Sequence, residues 1–332
     1  MIRLFIVLLL VLVIGPAYVR TPTTPATTQT SVQTSTPKTV QLSPPTAPST
    51  ISKSPIKETP VEALRGWDYL ASRLQAAGVP QETVRKIYSD KRFPRRTFVP
   101  FSVKPKEPTS MYRSFLNDKF SKLGVQFISK NKQAFRVVEN NYNVPKEIVA
   151  SIIVIESQAG KNTGKHPILY RLSRIATTNA PDNLRKNLKE ARKKDPSVTF
   201  QQVAERGLYL EQTFLPEIIA LIKIAELNKL DPLAIKGSRA GAFGLPQFLP
   251  TTYLRFGIDG NKDGRITLHN ETDAVLSTAH FLSHYGLNAD SPPKQKREIL
   301  WRYNKSESYI ETVLRLSAKI GTAMQKKNSK RS

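Results

Sequence analysis

The stretch VPKEIVASIIVIESQAG, residues 144–160, constrains this chain more than any other segment. Pro145 suits a first helical turn, Glu147 favours the positively polarised N-terminal end, and apolar residues recur at helical spacing. Val149, Ile152, Ile153 and Glu156 fall at i, i+3, i+4 and i+7, which is one helix face. That face is expected to point into a core, and Glu156 stands in line with it. Burial disfavours the charged carboxylate and raises its pKa, by up to roughly 3–5 units when complete. A carboxyl kept protonated near neutral pH is what a general acid needs. A structural glutamate, half exposed or paired with one of the many basic residues, fits the same spacing. The segment alone leaves both roles open.

The chain has 332 residues, enough for two compact domains or one large domain with insertions. Its 51 Lys and Arg outnumber 26 Asp and Glu, giving a formal net charge of +25. That excess favours an anionic partner, whether nucleic acid, acidic lipid, or a cell wall carrying carboxylates and phosphates, without choosing among them. With no cysteine in the sequence, disulfides, thiol catalysis, Cys-ligated zinc and cysteine lipidation are excluded. Residues 1–20 carry Arg3 and an apolar run from Leu4 to Ile14. This is the length of a secretory signal core and short of the roughly 20 residues of a comfortable membrane span. Export is expected, with the segment either cleaved near Gly15-Pro16-Ala17 or kept as an anchor. Residues 21–60 are dominated by Thr, Pro and Ser, which cannot bury enough apolar surface to offset chain entropy. They are expected to form a disordered or partly polyproline-like stalk.

Helical patterning begins near residue 61. EALRGWDYLASRLQAAGVP has Leu64, Trp67, Leu70, Ala71 and Leu74 at helical spacing, with Gly78 and Pro80 as a stop. A second helix is predicted in QETVRKIYSD, an extended basic loop over 91–110, and one or two helices between Met111 and Asn143. FLPEIIALIKIAELNKL, residues 214–230, reads as a further amphipathic helix closed by Asp231-Pro232. Strand signals are few and short, so the fold class is mainly α. The basic stretches at 183–194 and 325–332 read as solvated or wall-binding surfaces.

KGSRAGAFGLPQFLPTTY, residues 236–253, spaces Gly237, Gly241 and Gly244 among small and apolar residues. Such glycines let backbone approach a ligand closely, and the Gln247 amide could bond sugar hydroxyls or acetamido groups. The stretch lacks the GK[ST] of a P-loop and the GxGxxG of a dinucleotide site. A glycine-rich turn before a helix is the plain alternative.

NVPKEIVASIIVIESQAG, KGSRAGAFGLPQFLPTTY, DGNKDGRITLHNETDA and WRYNKSESYIETVL occur in this order. Together they resemble the lytic murein transglycosylases, and specifically the membrane-bound lytic transglycosylase B family, over about residues 61–320. The resemblance implies a lysozyme-like α-helical core (143–254 and 286–320), a helical N-terminal part (61–142), a small inserted EF-hand-like subdomain (255–285), and a basic tail (321–332). It implies cleavage of the β-1,4 bond between N-acetylmuramic acid and N-acetylglucosamine in peptidoglycan, with Glu156 as the catalytic acid. Ser238, Gln247 and Phe248 become groove residues, and Tyr303 and Asn304 neighbours of the acid. Tyr309 is assigned to packing as readily as to binding. A single carboxylate suffices when the substrate's own N-acetyl group assists, and attack by the C6 hydroxyl would close a 1,6-anhydro ring. The rivals are a muramidase that uses water and a wall-binding protein without turnover. No nucleic acid partner is expected of an exported chain, though the N-terminal segment could hold it at a membrane.

No cofactor is required by this chemistry, but DGNKDGRITLHN, residues 259–270, fits most of a twelve-residue calcium loop. Asp259, Asn261 and Asp263 occupy positions 1, 3 and 5, Gly264 makes the turn, and Arg265 offers its carbonyl at position 7. Position 12 is Asn270 where an acid is usual, so a weak structural calcium site is expected, tightened by an acid at 270. His280 and His284 are four apart, but no Glu follows His280, so zinc-protease chemistry is unsupported.

Overall fold

Helix α5 (Lys146–Ser157) organises the fold, because every residue from Ile148 to Ser157 is buried. The sequence marked one apolar face, yet Ala150, Val154 and Ile155 fill the others. A helix apolar on all sides must be surrounded. Four helices do this: α3 (Asp118–Lys130), α4 (Lys132–Tyr142), α10 (Glu271–His284) and α12 (Glu307–Ser329). The computed structural model describes residues 64–105 and 112–329. The predicted export segment 1–20 and stalk 21–60 lie outside the described residues. Among those described, no helix is long and apolar enough to cross a membrane.

The second group of helices packs on the long α8 (Phe200–Leu227), against which lie α6 (Ile168–Ala176), α7 (Pro181–Arg192) and α9 (Pro250–Phe256). Helix α8 begins well before the 214–230 predicted from its apolar pattern. Thr199 and Gln202 form a reciprocal capping box at its start, and Pro216 sits inside it. An interior proline costs about 3 kcal/mol. Burial of Phe214, Ile218 and Leu221 around it outweighs that cost. At the N-terminal end α1 (Asp68–Ala76) and α2 (Gln81–Tyr88) follow the prediction, and Gly78 beyond α1 takes φ +89°. Trp67, Tyr88, Phe93 and Tyr170 make an edge-on aromatic cluster there. The buried Glu211 of α8 anchors α1 through Arg73 Nε at 2.7 Å and the Tyr69 hydroxyl.

Within segment 255–285, α10 places Ala274, Val275, Ala279 and Leu282 in the main core and packs on α4 and α5. Residues 321–329 of the expected basic tail continue α12, which runs to Ser329. The 183–194 stretch is also more than a solvated face. The buried Asn183 and Asn187 of α7 clamp the extended segment before it, exchanging hydrogen bonds with Val99 N–H and C=O and receiving one from Phe101 N–H.

Two very short strands far apart in the chain, β1 (His166–Pro167) and β2 (Lys236–Gly237), pair antiparallel with His166 opposite Gly237. Gly164, at φ +88°, lets the chains meet. A Cβ there would come within 2.2 Å of the Gly237 carbonyl, so only glycine fits this approach.

Candidate active site

Glu156 is the penultimate residue of α5 and is 4% exposed. Loss of hydration pushes its carboxyl up to about 8, partly offset by Tyr309. The helix C-terminus, with its partial negative charge, is a second reason for the group to resist ionisation. After Glu156 the chain turns at once: Gln158 and Ala159 take left-handed conformations, and Gly160 φ +87°. Ser157 Oγ accepts from Gly160 N–H at 3.0 Å to fix that turn. The carboxyl is thereby held at the junction of the core helix and the loop leading to β1.

Two tyrosines from the C-terminal helices face it. Tyr303 ends α11 (Pro293–Tyr303), and Tyr309 lies in the first turns of α12. Their rings are parallel, with an interplanar angle of 5° and centroids 6.3 Å apart. Both hydroxyls are held far above the ordinary range for tyrosine, first by burial and then by the Glu156 charge. Tyr303 donates to the Pro246 carbonyl at 2.5 Å, linking α11 to the glycine-rich loop. The Tyr309 hydroxyl is fully buried and has no partner at ordinary hydrogen-bond geometry. Its nearness to Glu156 is what lowers the carboxyl's pKa against the effect of burial. Tyr309 is therefore the site residue that periodicity left undecided. Its ring is also packed edge-on against Tyr112 at 5.6 Å, so it serves packing as well.

The glycine-rich loop supplies the facing wall. Ser238 is buried and closes the loop, its Oγ accepting from Ala242 N–H at 3.1 Å. Gln247 adopts φ 51° and donates its Nε2 to the carbonyls of Thr163 and Gly244. This amide joins the loop after Glu156 to the loop before α9. Phe248 is 2% exposed, its ring near those of Phe281 and Tyr303. It supports Tyr303 from behind and has almost no surface to offer a sugar. Asn304 caps α11 in extended conformation (φ −146°) and is partly buried beside Tyr303.

Other buried carboxylates have separate duties. Glu211 pairs with Arg73. Glu217 accepts from Thr251 N–H and Oγ1 at the start of α9. The exposed Glu307 is paired with Arg297. None of the charges that act on Glu156 is a carboxylate.

The calcium-like loop is folded on itself. Asp259 accepts from the backbone N–H of Asp263 and Gly264, Asn261 Oδ1 from Asp263 N–H, and Asp263 from Arg265 N–H. Asn270, expected at the twelfth position, caps α10 through its Oδ1, which accepts from Thr272 and Asp273 N–H. The fully buried Asp273 closes the loop instead, accepting from the N–H groups of Gly260, Asn261 and Thr267. Among the described residues no group of three or more His, Cys, Asp or Glu side chains could hold a metal ion. Calcium also takes Asn side chains and backbone carbonyls as ligands, so the weak calcium site expected from the sequence stands as a proposal. Asn270→Asp is expected to tighten calcium binding by adding ligand charge at position 12, and calorimetry showing no change would overturn it. His280 and His284 contact the Phe256 carbonyl and Arg255 respectively, roles in packing rather than metal binding.

Comparison with known proteins agrees with this arrangement. The family model for the transglycosylase SLT domain matches residues 63–299. The membrane-bound lytic murein transglycosylase B of Escherichia coli K12 is 29% identical over 163 residues, covering 49% of this chain and 37% of that protein. The matched part thus spans little more than a third of the relative's length. The E. coli lytic transglycosylase SLT35, solved in complex with bulgecin A, superposes with a TM-score of 0.59 at 20% identity, over 79% of this chain and 94% of its own. It has also been solved in complex with calcium. SltB3 of Pseudomonas aeruginosa, solved with NAG-NAM-pentapeptide, gives a TM-score of 0.55 at 17% identity, over 77% of this chain and 78% of its own. These solved structures share the mainly helical, lysozyme-like fold. With its family model extending over well more than half of its length, the chain belongs to the transglycosylase SLT domain family.

Proposed function

We propose that this chain is a peptidoglycan lytic transglycosylase that cleaves the β-1,4 bond between N-acetylmuramic acid and N-acetylglucosamine, with Glu156 as its single acid and base. The observation that carries the reading is the buried carboxyl at the end of α5, held protonated to about pH 8 with no second carboxylate acting on it. A proton is therefore available at neutral pH for the bridging oxygen. As that bond breaks, the developing cation at C1 is stabilised by the substrate's own acetamido group. Glu156, now ionised, takes the proton of the C6 hydroxyl, whose oxygen attacks C1 and closes a 1,6-anhydro ring. The proton count balances: one is donated to the leaving oxygen and one is recovered from C6. Tyr303 and Asn304 orient the acid or the acetamido group, and Ser238 and Gln247 line the groove. The pentapeptide-bearing NAG-NAM bound by SltB3 supports glycan strands as the substrate.

Hydrolysis by the inverting route or through a glycosyl-enzyme would need a second carboxylate, to activate water or to act as nucleophile. Glu211, Glu217 and Glu307 are each committed elsewhere, which favours the anhydro product. The experiment is digestion of purified peptidoglycan, followed by mass analysis of the soluble fragments. An envelope location follows from the same reading. It agrees with the apolar residues 4–14 and the membrane-bound relative, and fractionation of cells tests it.

Tyr309 tunes the acid. Because its hydroxyl lowers the Glu156 pKa, Tyr309→Phe is expected to raise that pKa and move the alkaline limb of the pH–rate profile upward. An unmoved limb would reduce Tyr309 to packing.

A further inference from the structure

Helix α7 carries a cationic face that the site described above does not use. Arg185, Lys189 and Arg192 stand at i, i+4 and i+7, which is one stripe of the helix, with Lys186 and Lys193 beside it. All of these side chains are exposed. The opposite face is fixed by the buried Asn183, Leu184 and Asn187, so the charges cannot turn inward. The acids of the helix are already engaged, Asp182 with Arg96 and Glu190 with Lys193. Like charges three and four residues apart repel one another. An anionic partner relieves that repulsion, in keeping with the net charge of +25.

Apolar side chains lie beside this stripe. Phe200 and Leu208, at 49% and 41% exposure, are among the large apolar residues left open to solvent. With the half-buried Ala204 they run i, i+4, i+8 along one side of α8. The two helices meet at both ends of the stripe. Arg192 Nε donates to the Val198 carbonyl at 3.0 Å, two residues before Phe200. Gly207 faces the Leu184 side chain, where a Cβ would come within 2.6 Å, and Leu208 and Arg185 are the next residues of the two helices. Cations alone would serve a soluble polyanion. Exposed Phe and Leu beside Lys and Arg is the pattern that seats a protein on a bilayer, where cations meet the headgroups and apolar side chains reach the acyl boundary.

We propose that the α7–α8 face, through Arg185, Lys189, Arg192, Phe200 and Leu208, docks on an anionic lipid bilayer, so that the folded body holds the membrane independently of the N-terminal apolar segment. The docking does not depend on the reaction at Glu156. Each Lys or Arg brought near an anionic surface contributes about fivefold in affinity.

Because the sequence has no cysteine, a polarity-sensitive dye attached to Leu208→Cys in the full chain reports this face alone, even where the N-terminal segment has already bound the vesicle. A dye on Gln325→Cys, exposed on α12 in the other group of helices, is the reference. Emission from position 208 should shift to the blue on vesicles containing phosphatidylglycerol and stay unmoved on phosphatidylcholine alone, while the dye at 325 shifts on neither. Adding Arg185→Gln and Lys189→Gln should raise the lipid concentration for half the shift about 25-fold, with circular dichroism checking that these exposed substitutions leave the helices intact. Adding Phe200→Ser should also weaken the response. No shift at 208, equal shifts from the two dyes, or a shift on neutral vesicles that ignores the charge substitutions would overturn the proposal. Binding of soluble polyphosphate that depends on Arg185 and Lys189, with no shift on any vesicle, would make this face a polyanion site instead.

Discussion

Glu156→Gln is expected to lower glycan cleavage by at least about 10³-fold while leaving the helical fold intact. General acid and base assistance contributes typically 10²–10⁴-fold, and here one group supplies both steps in succession. Glutamine keeps the size and shape of the side chain but can neither donate the proton to the bridging oxygen nor recover one from C6. No neighbouring carboxylate stands ready to substitute, since the nearest titrating partners are Tyr309 and Tyr303. Release of soluble fragments from sacculi measures the loss, and circular dichroism monitors the fold. A variant with near-normal turnover would remove Glu156 from the mechanism.

The same substitution should stabilise the protein, and increasingly so as pH rises. The Glu156 carboxyl titrates at about 8 when folded against 4.5 for the unexposed-to-field reference group. The folded state therefore binds this proton more tightly than the unfolded state. The resulting stability is fully present below about pH 4.5 and is lost progressively as pH rises through about 8. At pH 7 the unfolded chain has already released the proton that the folded chain keeps, a difference on the order of 3 kcal/mol. Glutamine does not titrate, so the gap in Tm between Glu156→Gln and wild type should widen from pH 4.5 to 8 and then level off. At roughly 2–4 °C per kcal/mol for a body of this size, thermal melts can resolve it. A gap independent of pH would mean that the carboxyl is hydrated and ordinary. A gap that widens with pH would show activity and stability trading at one residue, the cost of keeping an acid in the core.

Glu156 was legible in the sequence because it stands one helical repeat from Val149, Ile152 and Ile153, so that local spacing sufficed to bury it. Tyr309 was not, because its nearness to the carboxyl depends on α12 crossing α5, and no local pattern reports that crossing. Asn270 carries two local signals. The twelve-residue metal template claims it, and Asn followed by Glu271 and Asp273 is also a helix-start signal, which the structure forms. Phe248 was placed in the groove by motif position, whereas the aromatic packing around Tyr303 draws it inward. The pairing of β1 with β2 was hidden for a geometric reason: His166 and Arg239 are 73 residues apart and meet where Gly164 allows the two strands to lie together.

The central claim is that one buried carboxyl acts alone, and the identity of the product tests it most directly. Wild-type protein digesting purified peptidoglycan should release fragments whose muramic ends are non-reducing 1,6-anhydro sugars, each lighter by one water than the hydrolysis product. Mass spectrometry of the soluble fragments, with and without prior borohydride reduction, distinguishes the two. Fragments that resist reduction and carry the anhydro mass are the predicted result. Fragments dominated by reducible muramic ends would contradict the account, because water rather than the C6 hydroxyl would then have reached C1.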